Sequence, residues 1–204
     1  MGFYNDRILP YLIDRAMRQE ALTVYRQRVV SAARGRVLEI GVGSGLNLNR
    51  YSRDAALVIG LDPSEKSLRM ATRAVGQPHT RVALIGGSAE EVPVDDGSVD
   101  CVVTTWTLCT IPNVEKALAE VRRVLNPDGS FLFVEHGRSP DAGVRRWQDR
   151  LTPVWRHIGG GCHLNRPIGE LIEAAGFRIE RMNTGYMKGP KPMTFMYEGV
   201  ARIK

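Results

Sequence analysis

The chain has 204 residues, 43% of them hydrophobic and 25% charged, and its formal net charge is +6. This balance is typical of a globular protein with a substantial core, and we expect one domain over residues 1–204. The longest apolar run, at 99–112, contains Asp100 and several threonines. It falls short of the roughly 20 apolar residues of a membrane-spanning helix, so the sequence argues against a segment that spans a bilayer.

The N-terminus and the cysteines indicate the compartment. Residues 1–6 lack the charged-then-apolar layout of a signal peptide, and Asp6 stands where a myristoylation signal requires Ser or Thr. Cys101, Cys109 and Cys162 lie far apart in sequence, which fits neither a disulfide framework nor paired zinc ligands. We therefore predict a cytoplasmic protein.

Residues 1–34 are predicted to form a helical lid or cap. Apolar residues recur there at helical spacing, at Ile8, Leu9, Leu12, Ile13, Ala16 and Met17. This stripe is expected to pack on the domain or to close over a site. Seven arginines in residues 1–36 also suit contact with an anionic membrane surface, but interspersed acidic residues and Pro10 make that the weaker alternative.

From residue 35 onward, β-rich runs alternate with helical patterns. Strands are predicted at 37–40, 57–61, 82–86, 99–105 and 130–135, followed by terminal strands at 177–182 and 194–202. Helices are predicted at 46–53, 64–75, 114–125, 144–158 and 167–175. Such alternation predicts an α/β domain with parallel strands joined by crossover helices.

A glycine-rich loop follows the first predicted strand in the stretch VLEIGVGSG, with glycines at Gly41, Gly43 and Gly45. Loops at the carboxyl ends of parallel strands are where open α/β sheets bind ligands, and glycine lets a ligand approach the backbone. The third glycine of the dinucleotide fingerprint would fall at Leu46. Glu39, beside the loop, suits a cationic amine better than a pyrophosphate, so the loop does not favour an NAD-dependent oxidoreductase.

An acidic residue, Asp62, ends the second predicted strand in the stretch GLDPS. A carboxylate at this position can accept hydrogen bonds from both hydroxyls of a ribose. The alternative is a helix cap ahead of Pro63. The loop, Glu39 and Asp62 together predict a nucleoside-containing ligand.

These motifs resemble those of the class I S-adenosylmethionine-dependent methyltransferases. The resemblance implies that the three loop glycines and Glu39 surround the methionine and ribose portions, with Asp62 and Pro63 at the ribose. The segment GGSAEEVPVDDGSVD is similar to the one that edges the adenine, which places Ser88, Ala89 and Glu90 there. Thr105 and Trp106, after the fourth strand, are further candidate cofactor contacts. VLNPDGSFLFVEH is similar to a late strand motif of the family, with Asp128 in place of a glycine.

The family resemblance also implies a fold and a division of the chain. The expected fold is Rossmann-like and doubly wound, with a seven-stranded, mostly parallel sheet, an antiparallel last strand and helices on both faces. Residues 35–136 would form the cofactor-binding half, and residues 137–204 the acceptor-side helices and terminal strands.

A narrower resemblance lies in the second half of the chain. TWTLCTIPN and the region from FVEHGRSP to LIEAAGF are similar to the microsomal thiol methyltransferases and to bacterial phospholipid or quinone-precursor methyltransferases. The shared features are the pairs Leu108-Cys109 and Glu135-His136, a Trp-containing helix ending in PVW, and Gly161-Cys162 followed by Leu164.

Several residues are candidates for contact with the methyl acceptor, because of where they lie relative to the predicted strands and helices. His136 ends the fifth predicted strand, where a neutral imidazole can take a proton near pH 7, so it is the predicted catalytic residue, with a structural hydrogen bond as the alternative. Predicted substrate contacts are Tyr4, Glu135, Trp155 and His157. The aromatic rings would wall an apolar pocket, although Trp147 and Trp155 equally suit a core helix.

Two other kinds of site are not predicted. Cys162 and His163 invite a metal interpretation, but no companion ligands stand at metal spacing, and no metal is expected. Five arginines between 138 and 156 are interspersed with Asp141 and Asp149 and form no aromatic-basic motif, so no nucleic-acid partner is expected.

The predicted function is methyl transfer from S-adenosylmethionine to a small molecule, most simply a thiol, because a thiol ionises near pH 8.5 and needs little catalytic help. One alternative is a phosphatidylethanolamine or quinone-precursor methyltransferase at a membrane surface. Another is a non-catalytic S-adenosylmethionine sensor. The sequence sets no oligomeric state.

Overall fold

The β-rich runs form one seven-stranded sheet in the computed structural model, which describes residues 8–76 and 80–204. The strands run at Gly35–Ile40 (β1), Ala55–Asp62 (β2), Arg81–Gly86 (β3), Val99–Thr105 (β4), Leu125–His136 (β5), Phe177–Tyr186 (β6) and Phe195–Ile203 (β7). Their order is β3-β2-β1-β4-β5-β7-β6, with β1 to β5 parallel and β7 antiparallel to both of its neighbours. The predicted fold class is confirmed.

Seven α-helices accompany the sheet in the described part of the chain. They are Leu9–Met17 (α1), Glu20–Val30 (α2), Glu65–Ala74 (α3), Val114–Val124 (α4), Ala142–Ile158 (α5), Ile168–Ala174 (α6) and Lys191–Thr194 (α7). Two begin at a side-chain cap: the hydroxyl of Ser64 accepts a hydrogen bond from the Ser67 backbone N–H, and the Asn113 side chain accepts one from Lys116. These caps start α3 and α4 shortly after strands end.

The core lies on both faces of the sheet, because successive apolar side chains of the central strands point to opposite faces. In β5, Phe131 and Phe133 point into a cluster with α4 and α6, whereas Leu132 and Val134 point into the opposite cluster with α2 and the glycine-loop side. Phe131 and Phe177 pack with ring centroids 5.6 Å apart. Burial on both faces makes the central strands nearly continuous apolar runs.

Three predicted elements differ from the structure. The helix predicted at 46–53 is only a 3-10 turn at Leu48–Arg50, since the side chains of Asn47 and Tyr51 turn inward to bond Glu39. β5 begins at Leu125 and not at the predicted residue 130, because Leu125 pairs with Val99. β6 extends to Tyr186 through its pairing with β7.

Among the helices in residues 8–76 and 80–204, none is both long enough and apolar enough to cross a membrane.

Gly199 provides a test of the packing between β7, β6 and β5. A Cβ built on Gly199 would lie 2.4 Å from the Arg181 carbonyl oxygen and 2.6 Å from the Phe133 ring. Gly199→Ala should therefore lower the free energy of unfolding by about 2 kcal/mol through overpacking, measured by urea denaturation. Gly185→Ala is the matched control, because a Cβ on that β6 glycine meets nothing within 4 Å. Equal losses in the two variants would contradict this description of the sheet.

Candidate functional site

A cavity of about 380 Å³ opens at the carboxyl ends of β1, β2 and β4. Its wall is formed by the glycine loop, the 87–89 segment after β3, the 105–112 region after β4, and one side of α1. This is the edge of the sheet where open α/β folds bind ligands, and the size is typical of a small-molecule site.

The glycine loop needs glycine for its shape. Gly41 has φ +74°, and a Cβ there would lie 2.4 Å from the Thr107 side chain. Gly45 has φ +80°, and its Cβ would lie 3.0 Å from the Cα of Ala71 in α3. The loop thus packs closely against its neighbours and leaves its backbone open to the cavity.

Asp62 both lines the cavity and holds the glycine loop. Its Oδ2 accepts a hydrogen bond from the Gly43 N–H at 2.9 Å, and its Oδ1 accepts one from the Ser64 N–H at 2.9 Å. Burial raises the pKa of Asp62, although these two N–H groups act in the opposite direction. Each carboxylate oxygen has further acceptor capacity, so both remain able to receive a hydroxyl.

Glu39 lies buried at the base of the cavity in a network of hydrogen bonds. Its carboxylate accepts one from Asn47 Nδ2 and one from the Tyr51 hydroxyl, both at 2.8 Å. Asn47 Nδ2 also donates to Thr105 Oγ1 at 3.1 Å. Burial raises the pKa of Glu39 to about 7, while its hydrogen bonds and the charge of Arg26 lower it. The network therefore places a partly protonated carboxyl against the cavity.

Arg26, from α2, lines the same cavity and was not predicted as a site residue. It is buried, its guanidinium lies 4.9 Å from the centroid of the Trp106 ring, and its Nε has no hydrogen-bond partner among the described residues. Burial lowers the pKa of Arg26 to about 10. Because nothing distinguishes this arginine from the other six in residues 1–36, sequence reasoning had no signal for it.

Trp106 has an unusual backbone conformation at the cavity wall. Its φ is +53°, which a bulky side chain rarely adopts, and its N–H donates to the Val134 carbonyl at 2.8 Å. Such strain persists where the surroundings fix it, often at functional sites. Thr105 and Trp106, both predicted cofactor contacts, line the cavity together with Thr107 and Thr110.

On the β3 side, the structure separates the predicted adenine contacts. Ser88 and Ala89 line the cavity, as does Pro63, which was predicted at the ribose. Glu90 is not part of the wall, because its carboxylate accepts a hydrogen bond from the Asn113 N–H at 2.9 Å and so faces the start of α4.

Helix α1 forms the opposite side of the cavity. Leu9, Ile13 and Met17 line it, and Asp14 accepts a hydrogen bond from the Ser44 hydroxyl at 2.5 Å. The same Asp14 carboxylate pairs with Arg18 at 2.8 Å. α1 is therefore joined directly to the glycine loop, where a lid would lie.

Those predicted acceptor residues that the structure describes do not line this cavity. Glu135 is buried, and its carboxylate accepts hydrogen bonds from the Thr107 and Leu108 N–H groups at 3.1 and 3.2 Å. Burial raises the pKa of Glu135 to about 7. His157 is exposed on α5, its Nδ1 lying 2.8 Å from the Pro153 carbonyl oxygen. Tyr4 lies outside the described residues.

His136 lies behind the wall with two cysteines. Its Nε2 is 3.1 Å from Cys162 Sγ, and the ligand atoms of Cys109, His136 and Cys162 all lie within 4.8 Å of one another. Trp155 packs against the small apolar cluster formed by Cys109, Cys162 and Leu164. The expectation that Cys162 has no companion ligands was wrong, because the fold brings together residues that are distant in sequence.

The three groups of this cluster influence one another's ionisation. A hydrogen bond with Cys109, assisted by His136, lowers the pKa of Cys162, while the same bond and burial raise the pKa of Cys109. Burial acts to lower the pKa of His136, but Cys162 and Glu135 outweigh it and raise that pKa above its usual value. The ionisation of each of these three groups therefore depends on the other two.

Comparison with known proteins identifies the fold and its relatives. A family described as a methyltransferase domain matches residues 38–133. The chain is 31% identical over 205 residues to the thiol S-methyltransferase TMT1B of Homo sapiens, an alignment that covers 93% of this chain and 82% of that protein. Alignments with three further thiol S-methyltransferases, from rat, human and mouse, each cover 59% of those proteins.

Two further similarities concern the acceptor and the fold. A phosphatidylethanolamine N-methyltransferase of Cereibacter sphaeroides is 35% identical over 122 residues, covering 57% of this chain and 60% of that protein. The solved structure of a SAM-dependent methyltransferase from Thermotoga maritima superposes with a TM-score of 0.67 at 21% identity, covering 97% of this chain and 99% of the other. At that identity the likeness shows the fold alone.

The raised pKa of Glu39 predicts how stability depends on pH. The native state, with this pKa at about 7, binds more protons than an unfolded carboxyl titrating near 4.5, so the free energy of unfolding should fall as pH rises through that window. This dependence should change the free energy of unfolding by a total on the order of 3 kcal/mol across the window. Glu39→Gln should remove the change, measured by urea denaturation from pH 5 to 7.5. Glu91→Gln, at an exposed position, is the control. Parallel profiles for wild type and Glu39→Gln would contradict the burial of this charge.

Proposed function

The chain belongs to the S-adenosylmethionine-dependent methyltransferases, and we propose that it methylates the sulfur of a small thiol. The observation that carries this proposal is the similarity to a thiol S-methyltransferase over 93% of the chain. That span includes the acceptor side as well as the cofactor half. The cofactor is S-adenosylmethionine, which supplies a methyl group already activated by its sulfonium sulfur.

The titratable groups of the cavity suit an acceptor that ionises without help. Among the described residues, those lining it are Asp14, Arg26, Glu39 and Asp62. The three carboxylates already accept hydrogen bonds from the protein, and the arginine stays protonated. A thiol has a pKa near 8.5, whereas the pKa of an amine is about two units higher. A thiolate therefore needs only to be positioned and shielded from water.

The cofactor contacts divide along the cavity. Glu39 would hold the cationic amine of the methionine portion, and Arg26, with its unpartnered Nε, would hold the carboxylate. Asp62 would accept the ribose hydroxyls, and Ser88 with Ala89 would border the adenine. The buried charges of Glu39 and Arg26 would fix the methionine portion at one end of the cavity. They would thereby direct the methyl group toward the 105–112 region.

A second candidate is methylation of a lipid amine at a membrane surface. One support is the similarity to a phosphatidylethanolamine N-methyltransferase. The other is the set of exposed apolar side chains on α1 and α5. They are Ile8, Tyr11, Leu12 and Ile13 beside or within α1, and Trp147, Leu151, Val154 and Ile158 in α5. The proposed compartment remains the cytoplasm, for which the support is the sequence alone.

The thiol proposal is tested with matched acceptors. The protein is incubated with S-adenosylmethionine and an alkyl thiol, the alcohol and amine of the same skeleton, or phosphatidylethanolamine vesicles, and products are quantified by mass spectrometry. We expect one S-adenosylhomocysteine per methyl thioether with the thiol, and at least about 10-fold slower turnover of the amine, because its proton is held more tightly. Turnover confined to the vesicles would favour the lipid amine, and binding without any product would favour a sensor.

One aspartate variant tests the cofactor site, and a second serves as its control. Asp62→Ala should weaken S-adenosylmethionine binding by about 2 kcal/mol, the value of hydrogen bonds to a charged group. Asp95→Ala, at an exposed position after β3, should leave binding unchanged. Equal affinities in isothermal titration would remove Asp62 from the site.

A further inference from the structure

Three segments that are distant in sequence converge on the far side of the cavity wall. Cys109 lies in the loop after β4, His136 is the last residue of β5, and Cys162 lies between α5 and α6. Their exposed fractions are 2%, 9% and 8%. Their ligand atoms lie within 4.8 Å of one another, so a buried cluster of two sulfurs and one imidazole nitrogen exists.

The spacing of these atoms is close to that of a tetrahedral zinc site. Zinc bonds of about 2.3 Å to sulfur and about 2.0 Å to nitrogen place two ligand sulfurs about 3.8 Å apart and a sulfur and a nitrogen about 3.6 Å apart. The observed distance from His136 Nε2 to Cys162 Sγ is 3.1 Å. Shifts of roughly an ångström or less would bring the three donors onto one ion.

The donors are also free to bind. His136 has no hydrogen bond in the described residues besides its contact with Cys162, and its Nδ1 is buried without a partner. The contact of Cys109 Sγ with the Trp106 carbonyl oxygen is long, at 3.6 Å. The buried Nδ1 of His136 leaves one polar atom of the cluster unsatisfied, and two thiolates would neutralise a divalent ion.

The loop that carries Cys109 is held in place by two buried side chains. Glu135 accepts hydrogen bonds from its N–H groups at Thr107 and Leu108, and Arg166 donates to its carbonyl groups at Leu108 and Ile111. The Cys109 carbonyl oxygen in turn accepts a hydrogen bond from the His163 N–H at 2.8 Å, beside Cys162. The ligand positions are thus preorganised, which lowers the cost of binding a metal.

We propose that Cys109, His136 and Cys162 bind one zinc ion. Soft thiolate donors with one imidazole select zinc over magnesium or calcium. Among residues 8–76 and 80–204, no other Cys, His, Asp or Glu atom joins the cluster, so one position of a tetrahedral ion remains for a ligand from outside this set. Cys109 shares its loop with the cavity-lining Thr107 and Thr110, and Gly160, near Cys162, lines the cavity too. The ion would therefore tie the acceptor-side loop to β5 and to the end of α5.

The test is zinc binding by the full chain. Protein purified under reducing conditions, stripped with a chelator and titrated with zinc alone should bind about one ion per chain, measured by elemental analysis after gel filtration. Cobalt in place of zinc should give a thiolate-to-metal absorption band. Cys162→Ala, Cys109→Ala and His136→Gln should each weaken zinc binding by about 100-fold or more.

Cys101 supplies the matched control. It is the third buried cysteine and lies in β4 outside the cluster, so Cys101→Ala should keep full zinc binding. Circular dichroism and S-adenosylmethionine titration identify any variant that fails to fold, and His136→Gln keeps the test open if a cysteine variant does fail. Wild type that binds no zinc, or zinc retained in Cys162→Ala, would overturn the proposal. Methyl transfer by zinc-free protein would leave the proposed function standing.

Discussion

The buried carboxylate of Glu39 is the group on which the geometry of the cavity depends. It joins β1, which carries it, to the 3-10 segment through Asn47 and Tyr51, and Asn47 extends the network to Thr105 at the end of β4. Burying a charge is costly unless it is paired, which is why the pKa of Glu39 rises to about 7. A cationic ligand would lower that cost. The burial that raises the pKa of Glu39 would therefore favour a cationic ligand such as the ammonium group that we propose it holds.

A second buried carboxylate, Glu135, organises the other half of the site in the same way. It lies one residue before the end of β5, which pairs with β4. It holds the N–H groups of the loop after β4, while Arg166 holds the carbonyl groups of that loop. The loop thus contributes Thr107 and Thr110 to the cavity and Cys109 to the cluster with His136 and Cys162. The strained Trp106 lies at the start of this loop and stacks on Arg26, so the two halves share one wall.

Local signals were enough to predict that the glycine loop, Glu39 and Asp62 meet at one edge of the sheet, where they line one cavity. The glycine loop, Glu39 and Asp62 lie at the ends of adjacent strands, and parallel strands bring such positions to one edge of the sheet. Arg26 could not be predicted, because its burial depends on how α2 packs against Trp106. The contact between Cys162 and His136, which are 26 residues apart, could not be predicted either. No sequence pattern determines where the connection between α5 and α6 packs against the sheet. Glu135 was placed correctly on the sheet, but its carboxylate serves the backbone of a neighbouring loop.

The coupling between the Glu39 charge and cofactor binding is measured most directly by counting protons. Isothermal titration with S-adenosylmethionine at pH 6.5, in two buffers of different ionisation enthalpy, reports how many protons leave on binding. With the pKa of Glu39 at about 7, the wild type should release about half a proton or more, because the ammonium group favours the ionised carboxylate. Glu39→Gln should release none. Equal heats in both buffers for the wild type, or the same release from the variant, would contradict the account.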